Sequence, residues 1–579
     1  MVTIQYKKLR DFSVIYLIIP ILIFFFGWLD ILFSILFSIG LLIAAVFYFR
    51  SYDEKSCKKT SIQIAKNKII LIAAISLLWC FFAGQGGFIH QSWDHLTRNI
   101  IIKDLVRLDW PVAYHDNTDM LCYYIAHWMV PASVGKMAYL LSGSLKAGYL
   151  VCNIVLFLWS SIGCFLTLSL FVLLTDSQKK ARVLLPILIF ILFSGADFLS
   201  YTGELPNHLE WWANSFQFSS NSTCLFWVYN QAIAAWIATL CVINENSVKN
   251  LAFIGLLSFP YSPIPFIGLV FICLVKGIVI LVDEIKHKRI LPFVFQVFSF
   301  QNIFAVLTVG VAFALYFSSN MAISEGASLS VGFRFHDDYV NAFMSKRGLL
   351  FLGLCGQYIR FVIIEFGLLA IGLHAYMRKD YTYRFAIGSL FLIPLFQIGQ
   401  GYDFSMRASI PALVYLCFAA ASFIQQELPD KEYYRDALTN IKKKPIRYIL
   451  LIVILVLPFV TEIGNMEVLG FTGKLIIPLA VFVLAYGLMW LIKRFPRMKL
   501  PFKVSAPKLK PAFVLTVAIL ILGTVTPFTE FVRETKETID YGTVFYYDKY
   551  ESLEEQENLI NFFAVNYKES DFYKYICKK

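Results

Sequence analysis

Two apolar runs at the start of the chain decide its fold: FSVIYLIIPILIFFFGW at residues 12–28 and ILFSILFSIGLLIAAVFYF at residues 31–49. At about 1.5 Å of rise per residue, each is long enough to cross the hydrocarbon core of a bilayer as a helix. Strands of a membrane β-barrel would alternate apolar and polar residues, and these runs do not. Lys7, Lys8 and Arg10 precede the first run as they would in a signal peptide. Since no small-residue cleavage site follows, we expect a retained helix.

The rest of the 579-residue chain continues this pattern. Hydrophobic residues make up 58% and charged residues only 16%, whereas a soluble protein carries about 25% charged residues. We therefore predict an all-α polytopic membrane protein with about 15 membrane helices. The predicted spans are 12–28, 31–49, 69–84, 147–174, 183–199, 223–243, 250–259 (short), 264–282, 303–318, 358–377, 385–400, 408–425, 448–465, 474–492 and 512–529.

The chain has a net charge of +12, and the positions of its Lys and Arg residues indicate the membrane topology. Most Lys and Arg residues fall in short loops that lie on one side of the membrane if the spans alternate from a cytoplasmic N-terminus. We predict a multi-pass protein of a bacterial plasma membrane, with the N-terminus in the cytoplasm and the C-terminus outside. The positive charge then faces anionic membrane lipids, and we expect no nucleic acid partner.

The predicted domain organisation has a multi-spanning membrane domain, 1–529, and an extracytoplasmic C-terminal tail, 530–579, expected to form a small folded appendage. The long first outer loop, 85–146, belongs to the membrane domain. Within it, 96–108 has an apolar face and a polar face, which predicts a helix that lies in the membrane interface. The semi-apolar stretch 120–140 is expected to be interfacial or re-entrant.

Histidines and acidic residues gather in the segments predicted to lie outside. The spans carry almost no charge near their centres, and Lys276 and Glu365 are the clearest exceptions. Ion-coupled transporters place ionisable groups at the membrane midplane. The distribution favours a site at the outer membrane surface over a conduction path.

The motif WDHLTRN, residues 93–99, is the sharpest local feature of the first outer loop. Asp94 can act as a general base on a sugar hydroxyl, with His95 and Arg98 as substrate-binding neighbours. Alternatively, Asp94 caps the interfacial helix by accepting backbone N–H bonds. The two roles are compatible.

Further along the loop, LDWPVAYHDNTD supplies Asp109, His115 and Asp116 as candidate substrate-binding residues. A solvated loop explains each of them equally well. At 204–212, Glu204 and His208 lie close to two tryptophans, which suggests a carbohydrate platform or an aromatic belt at the membrane interface.

Two more outer motifs carry candidate residues. RFHDDY offers Arg334 and His336 for substrate, and the adjacent carboxylates of Asp337 and Asp338 can hold a divalent cation. GYDFSMRAS places Arg407 at the outer start of a span, where a guanidinium can bind a phosphate with two parallel hydrogen bonds or serve only as an interfacial anchor. No cofactor is required by these motifs, and a divalent cation is possible.

The short cytoplasmic loops, the long first outer loop with its interfacial helix, the early outer Asp94 and the outer C-terminal segment together resemble the GT-C class of membrane glycosyltransferases. WPVAY (110–114) and DFSMRAS (403–409) resemble uncharacterised bacterial membrane proteins of surface-polysaccharide loci. The hallmark of the GT-C class is one or two acidic residues in the first large outer loop, and Asp94 is the matching position.

The resemblance implies an inverting transfer of a sugar from a polyprenyl-phosphate donor to a cell-surface glycan or lipid acceptor at the outer face. Asp94 would be the catalytic base, and Arg407 or another outer basic residue would meet the charge of the leaving phosphate. A flippase or transporter of lipid-linked glycans, or a polymerase that joins them, is the alternative.

Overall fold

The computed structural model describes residues 1–176, 182–201, 208–213, 216–321, 332–333, 349–398, 402–428, 510–542, 552–555 and 562–579. Helices dominate these residues. Nine helical runs among them are long and apolar enough to cross a membrane. The protein is therefore a multi-pass helical membrane protein, as the sequence predicts. The nine runs are Tyr6–Trp28, Ile31–Arg50, Leu145–Thr175, Asn221–Asn244, Pro263–Lys286, Ile290–Ser318, Leu354–Met377, Ile410–Glu427 and Pro511–Tyr541.

The described residues form 21 α-helices. In chain order they are α1 (Tyr6–Trp28), α2 (Ile31–Arg50), α3 (Lys66–Phe82), α4 (Asp94–Arg107), α5 (Ala126–Ser142), α6 (Leu145–Thr175), α7 (Leu184–Ile191), α8 (Asn221–Asn244), α9 (Leu251–Ser258), α10 (Pro263–Lys286), α11 (Ile290–Val297), α12 (Phe300–Ala305), α13 (Val311–Ser318), α14 (Leu349–Val362), α15 (Leu368–Met377), α16 (Tyr381–Leu392), α17 (Asp403–Ala408), α18 (Ile410–Glu427), α19 (Pro511–Gly523), α20 (Val525–Tyr541) and α21 (Asp571–Tyr575).

Several predicted spans are shorter in the structure than in the sequence pattern. Three of them are α7 and α9, with 8 residues each, and α16, with 12. The predicted spans 448–465 and 474–492 lie outside the described residues. Helix α7 ends early because polar side chains of α8 take its last carbonyl groups: Asn221 Nδ2 donates to Phe190 O at 2.9 Å, and Ser222 Oγ donates to Ile191 O at 2.7 Å.

Helix α8 is the centre of the bundle. It packs against α6 on one side and α18 on another, and nearly all of its residues are buried. Trp236 of α8 stacks on Trp79 of α3, with ring centroids 5.5 Å apart and planes 8° apart. A helix buried on all sides has to satisfy every backbone group within the protein.

The loops after alternate helices gather at one end of the bundle, which we call the N-terminal face. There β1 (Val2–Gln5) pairs antiparallel with β2 (Ser61–Ile64). Lys58 forms an ion pair with Asp380 at 3.2 Å, and Lys59 Nζ donates to the carbonyl of Asp176 at 2.7 Å. These contacts join segments that the charge pattern assigns to one side of the membrane.

The remaining connections meet at the opposite end, the C-terminal face. The backbone N–H of Asp30, between α1 and α2, donates to Ile576 O at 2.9 Å. Two strands of the first long loop, β3 (Ala113–Tyr114) and β4 (Asp119–Leu121), form a sheet with β7 (Phe563–Ala564) from the C-terminal segment. A separate pair is formed by β5 (Gly332–Phe333) and β6 (Phe396–Gln397). The chain therefore begins at one end of the bundle and finishes at the other.

The C-terminal segment is joined to the long loop along much of its length. The buried carboxylate of Asp104 on α4 accepts from Tyr114 OH (3.1 Å), Ser552 Oγ (3.2 Å) and the Leu553 N–H (2.8 Å). The sequence-based boundary between 529 and 530 falls inside α20 (Val525–Tyr541). Residues 552–555 and 562–579 thus contact the long loop.

The predicted interfacial helix 96–108 forms as α4, Asp94–Arg107, but its surroundings differ from the expectation. Arg98, Asn99 and Lys103 on its polar face are buried together with the apolar residues. The prediction of a helix from the periodicity is confirmed, whereas the expectation that its polar face is exposed is wrong. Helices α5, α6 and α8 contact α4, and the C-terminal segment covers Asp104.

Helices α5 and α6 form a close antiparallel hairpin that begins inside the bundle. The ring of His127, near the start of α5, bonds Ser160 Oγ midway along α6 at 3.0 Å. A Cβ added to Gly135 would lie 2.8 Å from the carbonyl of Gly148, so the two backbones meet through glycine. The stretch 120–140 thus enters the bundle from the C-terminal face and returns toward it.

Cysteines introduced at Lys55 and Glu569 test the placement of the two faces. Both positions are exposed, at opposite ends of the bundle. We expect an impermeant maleimide to label Lys55→Cys from one side of a sealed membrane and Glu569→Cys from the other. The unmodified chain, with its native cysteines, gives the background. Labelling of both positions from the same side would contradict the fold.

Candidate functional site

A break in α8 organises the C-terminal face. Val228 has non-helical dihedral angles (φ −135°, ψ 37°), so the carbonyls before it lose their helical partners. Side chains from the segment that precedes α4 replace those partners. Gln85 Nε2 donates to Leu225 O at 2.9 Å, and Ser92 Oγ donates to Phe226 O at 3.0 Å. The start of α4 is thereby attached to the middle of the bundle.

His95 completes this attachment. Its Nε2 lies 2.8 Å from Phe226 O, and because a carbonyl only accepts, Nε2 carries the proton. Burial lowers the pKa of His95 to about 3, so the imidazole is neutral at physiological pH. The ring stacks on Tyr229 with centroids 5.3 Å apart. His95 therefore positions α4, while its buried Nδ1 has no hydrogen-bond partner among the described residues.

Asp94 is the first residue of α4, and its carboxylate makes no cap hydrogen bond to the helix. The capping interpretation of Asp94 was wrong because Arg98, one turn later, takes the carboxylate instead: Arg98 Nη2 donates to Asp94 Oδ2 at 2.8 Å. The Asp94 side chain is 33% exposed. Its Oδ1 accepts no hydrogen bond from a described residue and remains available.

Arg98 is held below this carboxylate in the protein interior. Its side chain is only 4% exposed, and the guanidinium lies over the ring of Tyr229 at 5.9 Å. Nε and Nη1 are buried and have no partner among the described residues. Buried donors of a charged group are costly to leave unpaired, so these N–H groups indicate a position for a polar ligand or for water.

Arg407, on α17, approaches the same place from another part of the chain. Its Nη1 donates to Tyr124 OH at 3.2 Å, and Nη2 lies 3.4 Å from Asp403 Oδ1. Burial acts to lower the pKa of Arg407, but the charge of Asp403, with smaller contributions that include Asp94, raises it. Arg407 Nε also has no partner among the described residues.

Tyr123 and Tyr124 lie between the two arginines. Their ring centroids are 3.7 Å apart with the planes tilted by 32°, and the ring of Tyr123 stacks on that of Trp128 with centroids 6.1 Å apart. Burial raises the pKa of Tyr123, and the charges of Arg407 and Arg98 both oppose that rise. Sequence reasoning missed this tyrosine pair, since CYYIAHW reads as the start of an apolar segment.

We call Asp94, Arg98, Tyr123, Tyr124 and Arg407 the Asp94 cluster. It contains one partly exposed carboxylate, two buried guanidinium groups with donors that have no partner among the described residues, and a pair of closely packed phenol rings. Residues more than 280 positions apart, Tyr124 and Arg407, are in direct contact. The structure thus brings together Asp94, Arg98 and Arg407, three of the residues selected from the sequence.

Asp109, His115 and Asp116 belong to a different part of the face. His115 and Asp116 have left-handed dihedral angles (φ 51° and 53°) in the turn between β3 and β4. His115 Nδ1 contacts Asp119 Oδ2 at 2.8 Å, and the His115 N–H donates to Glu554 of the C-terminal segment. Asp109 is exposed. These contacts support the loop interpretation, and a substrate-binding role stays a prediction.

His208 is held in an ionic network with α20. Its Nδ1 lies 2.7 Å from Glu530 Oε1, and its Nε2 lies 3.6 Å from Glu210 Oε2. Burial acts to lower the pKa of His208, but Glu530 outweighs it and the pKa is raised. The ring contacts Trp211 at 4.9 Å. His208 attaches the segment 208–213 to α20, and its role toward a sugar stays a prediction.

The other predicted site residues lie outside the described residues: Glu204, Arg334, His336, Asp337 and Asp338. Their roles stay predictions. Within the described ranges, no group of three His, Cys, Asp or Glu residues is arranged to hold a metal ion.

The two charged residues predicted within spans have local partners. Trp212 Nε1 donates to Glu365 Oε1 at 3.3 Å and to Asp197 Oδ1 at 2.8 Å, so two carboxyl groups share one indole. Lys276 Nζ donates to the carbonyls of Val242 and Ile243 near the end of α8. Both charged groups are therefore part of the helix packing.

Comparison with known proteins adds no relative: no family model, no curated protein and no solved structure matches the chain. The functional inference therefore rests on the chemistry of the Asp94 cluster.

The neutral state of His95 predicts a pH dependence. Its pKa is about 3 in the folded protein and about 6.5 when unfolded. Between about pH 3 and about pH 6.5, the unfolded chain thus carries a proton on His95 that the folded protein lacks. The free energy of unfolding therefore falls as the pH drops below about 6.5. We expect this group to contribute up to about 1.4 kcal/mol per pH unit. His95→Gln keeps a donor but cannot titrate there.

The measurement is the apparent melting temperature of the detergent-purified protein between pH 7 and pH 5. The difference between the wild type and His95→Gln isolates the contribution of His95 from that of other titrating groups. Parallel curves for the two proteins would contradict a neutral buried imidazole.

Proposed function

We propose that the protein is a membrane glycosyltransferase that moves a sugar from a polyprenyl-phosphate donor to a glycan or lipid acceptor. The observation that carries the proposal is the Asp94 cluster, in which a partly exposed carboxylate and two buried arginines converge beside a pair of closely packed tyrosines. Transfer from a sugar phosphate needs a base for the acceptor and cations for the leaving group. The cluster supplies both.

The carboxylate of Asp94 serves as the general base. Arg98 holds Oδ2, which fixes the carboxylate and leaves Oδ1 to accept the proton of an acceptor hydroxyl. As the hydroxyl oxygen forms its bond to the anomeric carbon, the bond from that carbon to the phosphate oxygen breaks. The electron pair leaves with the polyprenyl phosphate, and the configuration at the anomeric carbon is inverted.

The two arginines stabilise the departing phosphate. Arg98 contributes Nε and Nη1, and Arg407 contributes Nε, all of them buried donors without a partner among the described residues. Charge developing on phosphate oxygens is best met by donors that are already oriented in a site of low polarity. The ring of Tyr229 holds the guanidinium group of Arg98 in place, and the carboxylate of Asp403 holds that of Arg407.

Access to the cluster is from the membrane surface. Trp93, immediately before Asp94, is 74% exposed, and an exposed tryptophan is typical of the membrane–water interface. A donor whose polyprenyl chain stays in the bilayer can present its phosphate and sugar at this level. We place the C-terminal face outside a bacterial plasma membrane and the N-terminus in the cytoplasm, because most of the Lys and Arg residues then lie inside.

Asp94→Asn tests the role of the base. Asn retains an oxygen that can accept from Arg98 but cannot take a proton, so we expect normal expression and folding with sugar transfer lowered by about 100-fold or more. Transfer is measured in proteoliposomes with a polyprenyl-phosphate sugar as donor. Asp571→Asn, which changes an exposed carboxylate of the C-terminal segment on the same face, is the matched control and should transfer normally.

Normal transfer by Asp94→Asn would refute the catalytic assignment. Donor sugar that crosses the membrane without forming a new glycosidic bond would instead indicate a flippase. Products that grow by whole glycan units rather than by single sugars would indicate a polymerase.

Arg407→Lys tests phosphate recognition. A lysine keeps the charge but cannot reproduce the planar set of donors, so we expect KM for the donor to rise about tenfold, with a smaller change in kcat. Arg384→Lys, at an exposed position on α16 at the N-terminal face, is the control. An unchanged KM for the donor would show that Arg407 is only an interfacial anchor.

A further inference from the structure

A polar cavity of about 420 Å³ opens on the N-terminal face, at the opposite end of the bundle from the Asp94 cluster. This volume lies in the range of small-molecule sites, about 300–1,000 Å³. Its wall is formed by α1, the loop after α2, the end of α8 and the helix α11. The lining residues that matter here are Arg10, Asp53, Glu245, Lys249, Asn250 and Phe295.

Glu245 supplies a buried acceptor to this cavity. The residue is 1% exposed, and its Oε2 accepts from Asn250 Nδ2 at 3.2 Å. Oε1 is buried and has no hydrogen-bond partner among the described residues. A buried carboxylate oxygen without a donor is costly. A ligand that brings its own donor would remove that cost.

The orientation of Asn250 makes this arrangement rigid. Its Oδ1 accepts from Ser51 Oγ at 3.1 Å and from Gln301 Nε2 at 2.8 Å. The amide nitrogen therefore points toward Glu245 and holds Oε2. The backbone of Glu245 also bridges to Cys57. Oε1 is consequently presented by a prearranged wall, as a binding site requires.

Positive charge is available at the edge of the same cavity. Arg10 is buried, with its guanidinium stacked on Tyr48 at 4.2 Å and bonded to Asp11 and to the carbonyl of Tyr48. Lys249 is exposed, so its ammonium group is free to move onto a ligand. The cavity thus combines the buried carboxyl group of Glu245 with two exposed charged residues at its rim, Lys249 and Asp53.

The helix α11, which lies beside the cavity, is apolar and is not covered by the rest of the described chain. Its sequence ILPFVFQV is almost entirely apolar, yet none of its residues is buried. Phe295 lines the cavity and is 68% exposed. In a membrane protein, an apolar helix that the protein does not cover is covered by lipid. The cavity therefore borders the acyl chains of the bilayer.

We propose that this cavity binds the headgroup of a membrane phospholipid that carries a primary ammonium group and a phosphate. The ammonium donates to Glu245 Oε1, the phosphate lies at the rim beside Lys249, and the acyl chains extend along α11. The site is separate from the Asp94 cluster and does not depend on the glycosyltransferase proposal.

The test compares phosphatidylethanolamine with phosphatidylcholine. A primary ammonium donates hydrogen bonds, whereas the quaternary ammonium of choline cannot. The full-length protein is purified from equimolar mixtures of the two lipids, and the retained lipid is quantified by mass spectrometry. We expect about tenfold enrichment of phosphatidylethanolamine, since a hydrogen bond to a charged group is worth about that factor or more.

Glu245→Gln should bring this ratio close to one, because the neutral amide gives up the ionic hydrogen bond while it keeps an oxygen for Asn250. Asp283→Asn removes an exposed carboxylate at the end of α10, on the same face, and should leave the ratio unchanged. Lys249→Ala should lower retention of both lipids without changing their ratio. Because Lys249→Ala alters only an exposed side chain, it still tests the proposal if Glu245→Gln fails to fold.

Three results would overturn the proposal. The first is equal retention of the two lipids by the wild type. The second is an unchanged preference in Glu245→Gln, or a Lys249→Ala protein that retains as much lipid as the wild type. The third is complete displacement of phosphatidylethanolamine by an equal concentration of soluble glycerophosphoethanolamine, which would show that the acyl chains play no part.

Discussion

The constraint on which the structure depends is the satisfaction of the carbonyl groups freed by the break of α8 at Val228. Neighbouring helices enclose α8, so water cannot reach these carbonyl groups. Each carbonyl would destabilise the fold if it were left without a hydrogen bond. Gln85, Ser92 and His95 supply the missing donors. All three side chains come from the short stretch 85–95. The break in α8 therefore determines where the start of α4 lies.

The position of Asp94 follows from this attachment. His95 is fixed to the carbonyl of Phe226, so the adjacent carboxylate is directed toward the surface, and Arg98 is directed inward beneath it. A neutral histidine suits this purpose, since a charged ring would add a third cation beside the two arginines. His95 is thus a positioning residue for its neighbour, and its predicted contact with substrate stays a prediction.

The two ends of the bundle have different chemistry. At the C-terminal face, the long first loop and the C-terminal segment form one layer, joined by the sheet of β3, β4 and β7 and by the bonds to Asp104. At the N-terminal face, short connections are joined by ion pairs such as Lys58 with Asp380. The Asp94 cluster lies in the first of these regions and the cavity with Glu245 in the second.

The sequence by itself determined the class of the protein, the position of most long helices and the choice of Asp94, Arg98 and Arg407, because hydrophobic length and charge placement are local properties. It placed α4 to within about two residues, since helical periodicity is also local. Only the tertiary structure decided that the polar face of α4 is buried, that Asp94 pairs with Arg98 instead of capping, and that Tyr123 and Tyr124 join Arg407. These outcomes depend on contacts between segments far apart in the chain, and the burial of a polar residue is set by what packs over it, which no local pattern records.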